Sequence, residues 1–133
     1  MTPSRAERTL ALSLLLGMFV WSGASKVAVL GATQTKPFVA AFRYAGLGAD
    51  AALKAAMAVV FLAGVWELAA VGAIVRGECT KERSLARRGV EGLMVFTVLA
   101  TLIFKVYPKL KPIQIAANAS VLGGLALYHI CLR

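Results

Sequence analysis

The sequence predicts an all-α integral membrane four-helix bundle, with a short interfacial amphipathic helix between the first and second spans. Three observations predict it. Of the 133 residues, 59% are hydrophobic, above the roughly 45–50% of a soluble domain, and the mean hydropathy is +0.76. Four separate stretches have the length of about 20 mostly apolar residues that crosses a bilayer. The charged residues, only 16% of the chain, collect between those stretches. One transmembrane domain over 1–133 accommodates all of this, because backbone in lipid must satisfy its hydrogen bonds within its own helix.

The first span is expected at about 9–30, after Arg5 and Arg8. Leu10–Val20 followed by Ser22, Gly23 and Ala24 also has the order of a secretory leader, with a basic start, an apolar middle and a small-residue end. The connection after it is expected to hold the interfacial helix at about 37–46. Pro37 suits a first helical position, and Phe38, Ala41, Phe42 and Ala45 recur at helical spacing. Gly46 and Gly48 end it. In this reading Phe38 and Phe42 dip into the acyl boundary. The second span is expected at 51–75, the third at 89–106 and the fourth at 113–132. The connection 76–88 is charged. Pro108 and Pro112 make the last connection a tight turn.

The net charge of +9 does not imply nucleic acid here. Arg5 and Arg8, then Arg76, Lys81, Arg83, Arg87 and Arg88, then Lys105, Lys109 and Lys111 lie at the ends of apolar runs, where lipid phosphates sit. An even number of spans puts both termini and the second connection on one side. That side is the more basic, which places it in the cytoplasm or matrix of a bacterial-type plasma membrane or an organelle inner membrane. Cys79 and Cys131 then share the reducing side and are expected as free thiols. With no Cys-x-x-Cys pair and with His129 the only histidine, neither a dithiol centre nor a metal site is expected. Trp21 and Trp66 are expected to pack within spans, Tyr107 and Tyr128 to belong to the interfacial belt, and Lys105 and His129 to be interfacial.

Glu67 is the residue that asks for a function. It lies near the middle of the second span, where a charge costs about 2.5–3.5 kcal/mol on insertion scales and usually faces a bundle interior or a cavity. Small residues share its face: Ala63, Gly64, Ala70 and Val71. Counting from helix ends puts Ser13, Gly17, Thr97, Gly123 and Gly124 at similar depth, with Ser120 and Asn118 deeper. Gly17, Gly23, Gly64, Gly123 and Gly124 are the expected packing glycines. Glu67 is the candidate for proton handling, unless it serves only as a hydrogen-bonded packing group. Lys26, Ser22, Thr97, Asn118 and Ser120 are candidates for lipid or ligand contact. The same count separates Lys26 from Glu67 by about 15 Å along the bundle axis. An ion pair is therefore not expected, and Lys26 is expected to snorkel to the far interface.

These residues together resemble the DoxX family of small four-helix membrane proteins. The first span carries Phe19-Val20-Trp21-Ser22-Gly23-Ala24-Ser25-Lys26, like the family's aromatic-x-Ser-Gly-x-x-Lys. The second carries Gly64-Val65-Trp66-Glu67-Leu68, like its Gly-x-x-Glu-Leu. Ala100-Thr101-Leu102-Ile103-Phe104 is similar to its Ala-Thr-Leu-Leu-Phe, and Asn118 through Gly123-Gly124 to its Asn-x-x-x-x-Gly-Gly. Phe42, Leu47 and Gly48 suit its connecting helix. Family members often have His after the third-helix Phe, where this chain has Lys105. The resemblance implies a small membrane subunit of a quinone-linked oxidoreductase or of a redox-defence assembly.

Two classes of function follow. The first is a subunit of a larger membrane complex, respiratory or quinone-linked, with a structural role or one supporting a proton or quinone site. It has no intrinsic cofactor, with quinone or phospholipid as ligand and with membrane lipids and other integral subunits as partners. The second is a stand-alone small transporter, or a lipid- or small-molecule-binding membrane protein, that uses Glu67. Small multidrug transporters carry their intramembrane Glu in the first helix, whereas Glu67 is in the second. Nucleic acid is not a partner in either.

Overall fold

Five helices make up the fold among the residues that the computed structural model describes, 4–32, 34–106 and 112–133. The side chains at 5, 104–106, 112 and 114 fall outside that description, as do the tight turn at 107–111 and the expectations for Lys105, Tyr107, Pro108, Lys109 and Lys111. The helices are α1 (Arg5–Ala28), α2 (Lys36–Tyr44), α3 (Ala49–Thr80), α4 (Arg83–Val106) and α5 (Pro112–Cys131). Two are long and apolar enough to cross a membrane: α1 over Ala6–Ala28, and α3. A shorter apolar stretch, Ile115–Cys131, lies in α5.

Local chemistry explains the boundaries. Ser4 caps α1, with its Oγ accepting from the Glu7 N–H while Glu7 accepts from the Ser4 N–H, a reciprocal capping box. At the other end the N–H of Gly31 donates to the Lys26 carbonyl at 2.8 Å and that of Leu30 to Val27. This is a Schellman closure with Leu30 and Gly31 both at positive φ. α2 ends the same way at Gly46, whose φ of 94° suits only glycine well. Gly48 then serves as N-cap of α3.

The charged connection expected at 76–88 is almost entirely helical. α3 continues to Thr80, Lys81 adopts the left-handed conformation, and α4 starts at Arg83. Apart from the break at Lys81 and Glu82, the segment has no proline, and its one glycine, Gly77, sits inside α3, pressed against Ala86. The charge marks where the apolar runs at 51–75 and 89–106 end, not where the helices end. At 32 residues, α3 is about 48 Å long.

α3 is the hub, packing against α1, α2 and α4, while α5 packs on α4 and touches α1. Neighbours run antiparallel: Arg8 meets Glu78 and Gly23 meets Gly64 across α1 and α3, and Gly89 meets Ala70 across α4 and α3. The apolar core is lopsided. Leu16, Phe19, Ala70, Val71, Ile74, Val90, Leu93 and Leu125 fill the half nearer the termini. Toward the opposite end the buried apolar side chains of α3 are the smaller Ala52, Ala56 and Val60, and a cavity lies there.

Large apolar side chains also cover the outside, among them Leu10, Leu14, Leu62, Val95, Leu102, Leu127 and Ile130. Trp21, expected to pack, is 80% exposed on this surface. Phe38 and Phe42 are half-buried, and Phe38 faces the cavity rather than an acyl boundary alone.

Candidate functional site

Gly23 on α1 and Gly64 on α3 set the site. A Cβ on Gly23 would meet the Gly64 carbonyl at 3.0 Å and Leu68 Cγ at 2.9 Å, and one on Gly64 would meet Lys26 Cβ at 2.8 Å. The two backbones are therefore as close as glycine permits. That approach brings Lys26 and Glu67, one turn beyond the glycines on each helix, together. Lys26 Nζ lies 2.8 Å from Glu67 Oε2 and 3.0 Å from Oε1. Ser22 Oγ accepts from Lys26 Nζ at 2.5 Å and donates to Glu67 Oε1 at 3.1 Å. The Lys26 ammonium also sits 5.6 Å from the centroid of the Phe96 ring, within cation–π range.

This pair overturns the expectation that Lys26 and Glu67 stand too far apart and that Lys26 snorkels outward. Two physical reasons account for it. α3 runs on to Thr80, so Glu67 lies deeper than a count from Arg76 places it, and its partners on α1 are Ser22 and Gly23 rather than Ser13 and Gly17. A helical side chain also tilts toward the N-terminus of its own helix. Lys26 therefore reaches back one turn, to the level of Ser22. Both side chains are buried, at 8% and 2% exposure, and among the described residues no buried polar side-chain atom lacks a partner.

The pair forms part of the wall of a half-open cavity of about 720 Å³. The lining is mostly apolar: Met18 and Phe19 from α1, Phe38 from α2, Val60 and Trp66 from α3, Phe96 from α4, and Ile115 and Val121 from α5. Its polar groups are Ser22, Lys26, Glu67, Gln34, Thr97, Thr101 and Asn118. Thr97 is buried but donates to the Leu93 carbonyl, not to Glu67, and Thr101 donates to the Thr97 carbonyl. Asn118 donates to Thr101 Oγ1 at 3.0 Å, joining α5 to α4. Trp66 Nε1 donates to the Gly92 carbonyl.

Of the residues singled out from sequence, Lys26, Ser22, Glu67, Thr97 and Asn118 meet at this cavity. Ser120 does not: it is exposed and donates to the Ala116 carbonyl of its own helix. Gly17 and Gly123 have open space where a Cβ would stand, so neither is a packing glycine, whereas Gly124 is in ordinary contact distance of Leu15. Phe96, Gln34 and Thr101 were not expected at the site, and Phe38 was expected only at the acyl boundary. Thr101 alone carried a signal, one turn after Thr97 on the same face.

Away from the cavity, at the termini end, Glu78 accepts from Tyr128 Oη and from Arg8 Nη2, and Arg8 lies over the Tyr128 ring. Tyr128 is thus part of an inter-helix cluster rather than only a belt residue. Cys79 and Cys131 are exposed free thiols. Among the described residues no cluster of His, Cys, Asp and Glu could hold a metal ion. No family model, curated protein or solved structure matches the chain.

Proposed function

We propose that the chain is a small integral membrane four-helix bundle of the DoxX type. Its cavity binds a neutral lipophilic molecule of the quinone class, in the service of a quinone-linked membrane redox complex. The observation that carries the reading is the buried Lys26–Glu67 pair set in the wall of an otherwise apolar cavity.

The chemistry favours that ligand class over a charged one. Glu67 is held by an ammonium and a hydroxyl, so the polar end of the cavity has no net charge to offer a cation. A cation transporter needs an intramembrane carboxylate that its cargo can claim, and here Lys26 already claims it. A ring bearing carbonyl or hydroxyl groups suits the site better. Its apolar body fits among Phe19, Phe38, Phe96 and Val121, and its oxygens can accept from the second N–H of the Asn118 amide, or from Lys26 in exchange for its bond to Ser22. Pockets of this kind, mostly apolar with a few placed polar groups, are the usual form of small-molecule sites.

Reduction of a quinone consumes two electrons and two protons. The described residues include no dithiol pair or metal cluster, so in this reading the electrons come from a partner subunit. Lys26 and Glu67 are the groups beside the cavity that can hold a proton. The apolar exterior supports a membrane setting, with lipid or other integral subunits against it.

Trp66 lines the cavity while Trp21 points outward, so a Trp21→Phe protein reports on the cavity by fluorescence. Titration with a short-chain benzoquinone in detergent is expected to quench Trp66 saturably, and Lys26→Met to abolish saturation. Linear, unsaturable quenching in the parent protein would overturn the proposal.

A further inference from the structure

The termini end of α4 carries a second feature that the cavity does not explain. Arg83, Ser84, Arg87, Arg88 and Glu91 lie along one side of its first three turns, and with Leu132 just beyond α5 they line an open surface pocket of about 480 Å³. Arg87 Nε donates to Glu91 Oε1 at 3.0 Å and lies 3.1 Å from His129 Nε2, which itself sits 3.0 Å from the same carboxylate oxygen. The single negative charge is thus shared by Arg87 and His129. Arg83 and Arg88 have no ion pair among the described residues. The pocket therefore keeps a surplus of positive charge after its internal pairing is complete.

The geometry points to a phosphate-binding site at Arg83, Ser84 and Arg88, with the phosphate of an anionic phospholipid headgroup as its occupant. Four observations converge. The guanidinium fork matches two phosphate oxygens at once, which an ammonium does not. Arg83 and Ser84 open α4, ahead of the Leu85 and Ala86 N–H groups that donate to the Glu82 carbonyl, at the end where the helix dipole favours an anion. The Ser84 hydroxyl adds a neutral donor on the same side. Leu132 supplies an apolar wall at the point where a headgroup gives way to its glycerol and acyl chains. The lipid as source rests on the membrane reading above; the phosphate chemistry does not.

The test uses the full chain in detergent at fixed salt, titrated separately with dioctanoyl phosphatidylglycerol, dioctanoyl phosphatidylcholine and inorganic phosphate. Saturable binding of phosphatidylglycerol is expected, with the Arg83→Ala/Arg88→Ala protein binding about 30-fold more weakly. The Lys36→Ala/Arg43→Ala protein, which loses the same charge at the opposite end, is expected to bind as the parent does. Ser84→Glu places a carboxylate in the pocket without deleting an arginine and is expected to abolish binding if the double variant proves hard to fold. Binding of inorganic phosphate with the same dependence on Arg83 and Arg88, but no gain from the lipid, would keep the phosphate site and remove the lipid as its source. Equal binding of both lipids, or equal losses in the two double variants, would overturn the site.

Discussion

Gly23 and Gly64 face each other across α1 and α3 with no room for a methyl group on either. Their contact is the cause of the ion pair that bridges it, because Lys26 reaches Glu67 only while the two backbones stay this close. Gly64→Ala is expected to push the helices apart and to cost about 1–3 kcal/mol, as overpacking does. Gly17→Ala, on the same α1 but with open space at its Cβ, is expected to leave stability unchanged or raise it by up to about 1 kcal/mol through helix propensity. Thermal melts of the two variants in one detergent decide it. If Gly64→Ala melts no lower than Gly17→Ala, the close approach is not what the fold depends on.

The Lys26–Glu67 pair separates a structural role from a ligand-binding one. Removing one partner, as in Lys26→Met, leaves a buried charge unpaired and is expected to cost about 3–5 kcal/mol. Removing both, as in Lys26→Met/Glu67→Leu, is expected to recover most of that loss, since a buried pair is replaced by apolar groups nearly neutrally. Quinone binding is expected to stay lost in the double variant. A stable double variant that still binds the quinone would show the pair to be packing alone.

What the sequence could and could not convey follows from these same residues. Apolar runs located all four long helices, because burial in any apolar medium demands them, and Pro37 with Phe38 and Phe42 located α2. The membership of the site was legible in part: Lys26, Ser22, Glu67, Thr97 and Asn118 stood out as polar groups in apolar runs. Their pairing was not, since it depends on where α3 ends and on the backward tilt of the Lys26 side chain. Neither leaves a trace in hydropathy. Gly17 and Gly123 look just like Gly23 and Gly64 in sequence, and only the rotation of each helix about its axis distinguishes a packed glycine from an exposed one.

Thiol labelling tests the orientation that the charge distribution implies. Cys79 and Cys131 are exposed at the end of the molecule that carries Arg83, Arg87 and Arg88, and Tyr44, 96% exposed, ends α2 on the opposite side. In sealed vesicles a membrane-impermeant maleimide is expected to reach both native cysteines from the same side. A Tyr44→Cys protein lacking the native thiols is expected to be labelled only from the other. Labelling of all three from one side would mean that α1 and α3 do not each cross the bilayer.

Phe38 is where α2 meets the cavity. α2 packs chiefly on α3, and none of its residues is fully buried, so its contribution to stability is small. Its contribution to ligand retention need not be, because Phe38 lines the cavity while Phe42, one turn on, does not. Phe38→Ala is expected to remove an apolar contact with a bound ring worth about 1–2 kcal/mol, weakening quinone binding about 5- to 30-fold with little change in melting temperature. Phe42→Ala removes a side chain of the same size from the same helix and is expected to leave the affinity unchanged. Trp66 quenching measures both on the Trp21→Phe background. Equal effects from the two alanines would show that α2 acts by covering α3 as a whole, and that Phe38 has no place in the site.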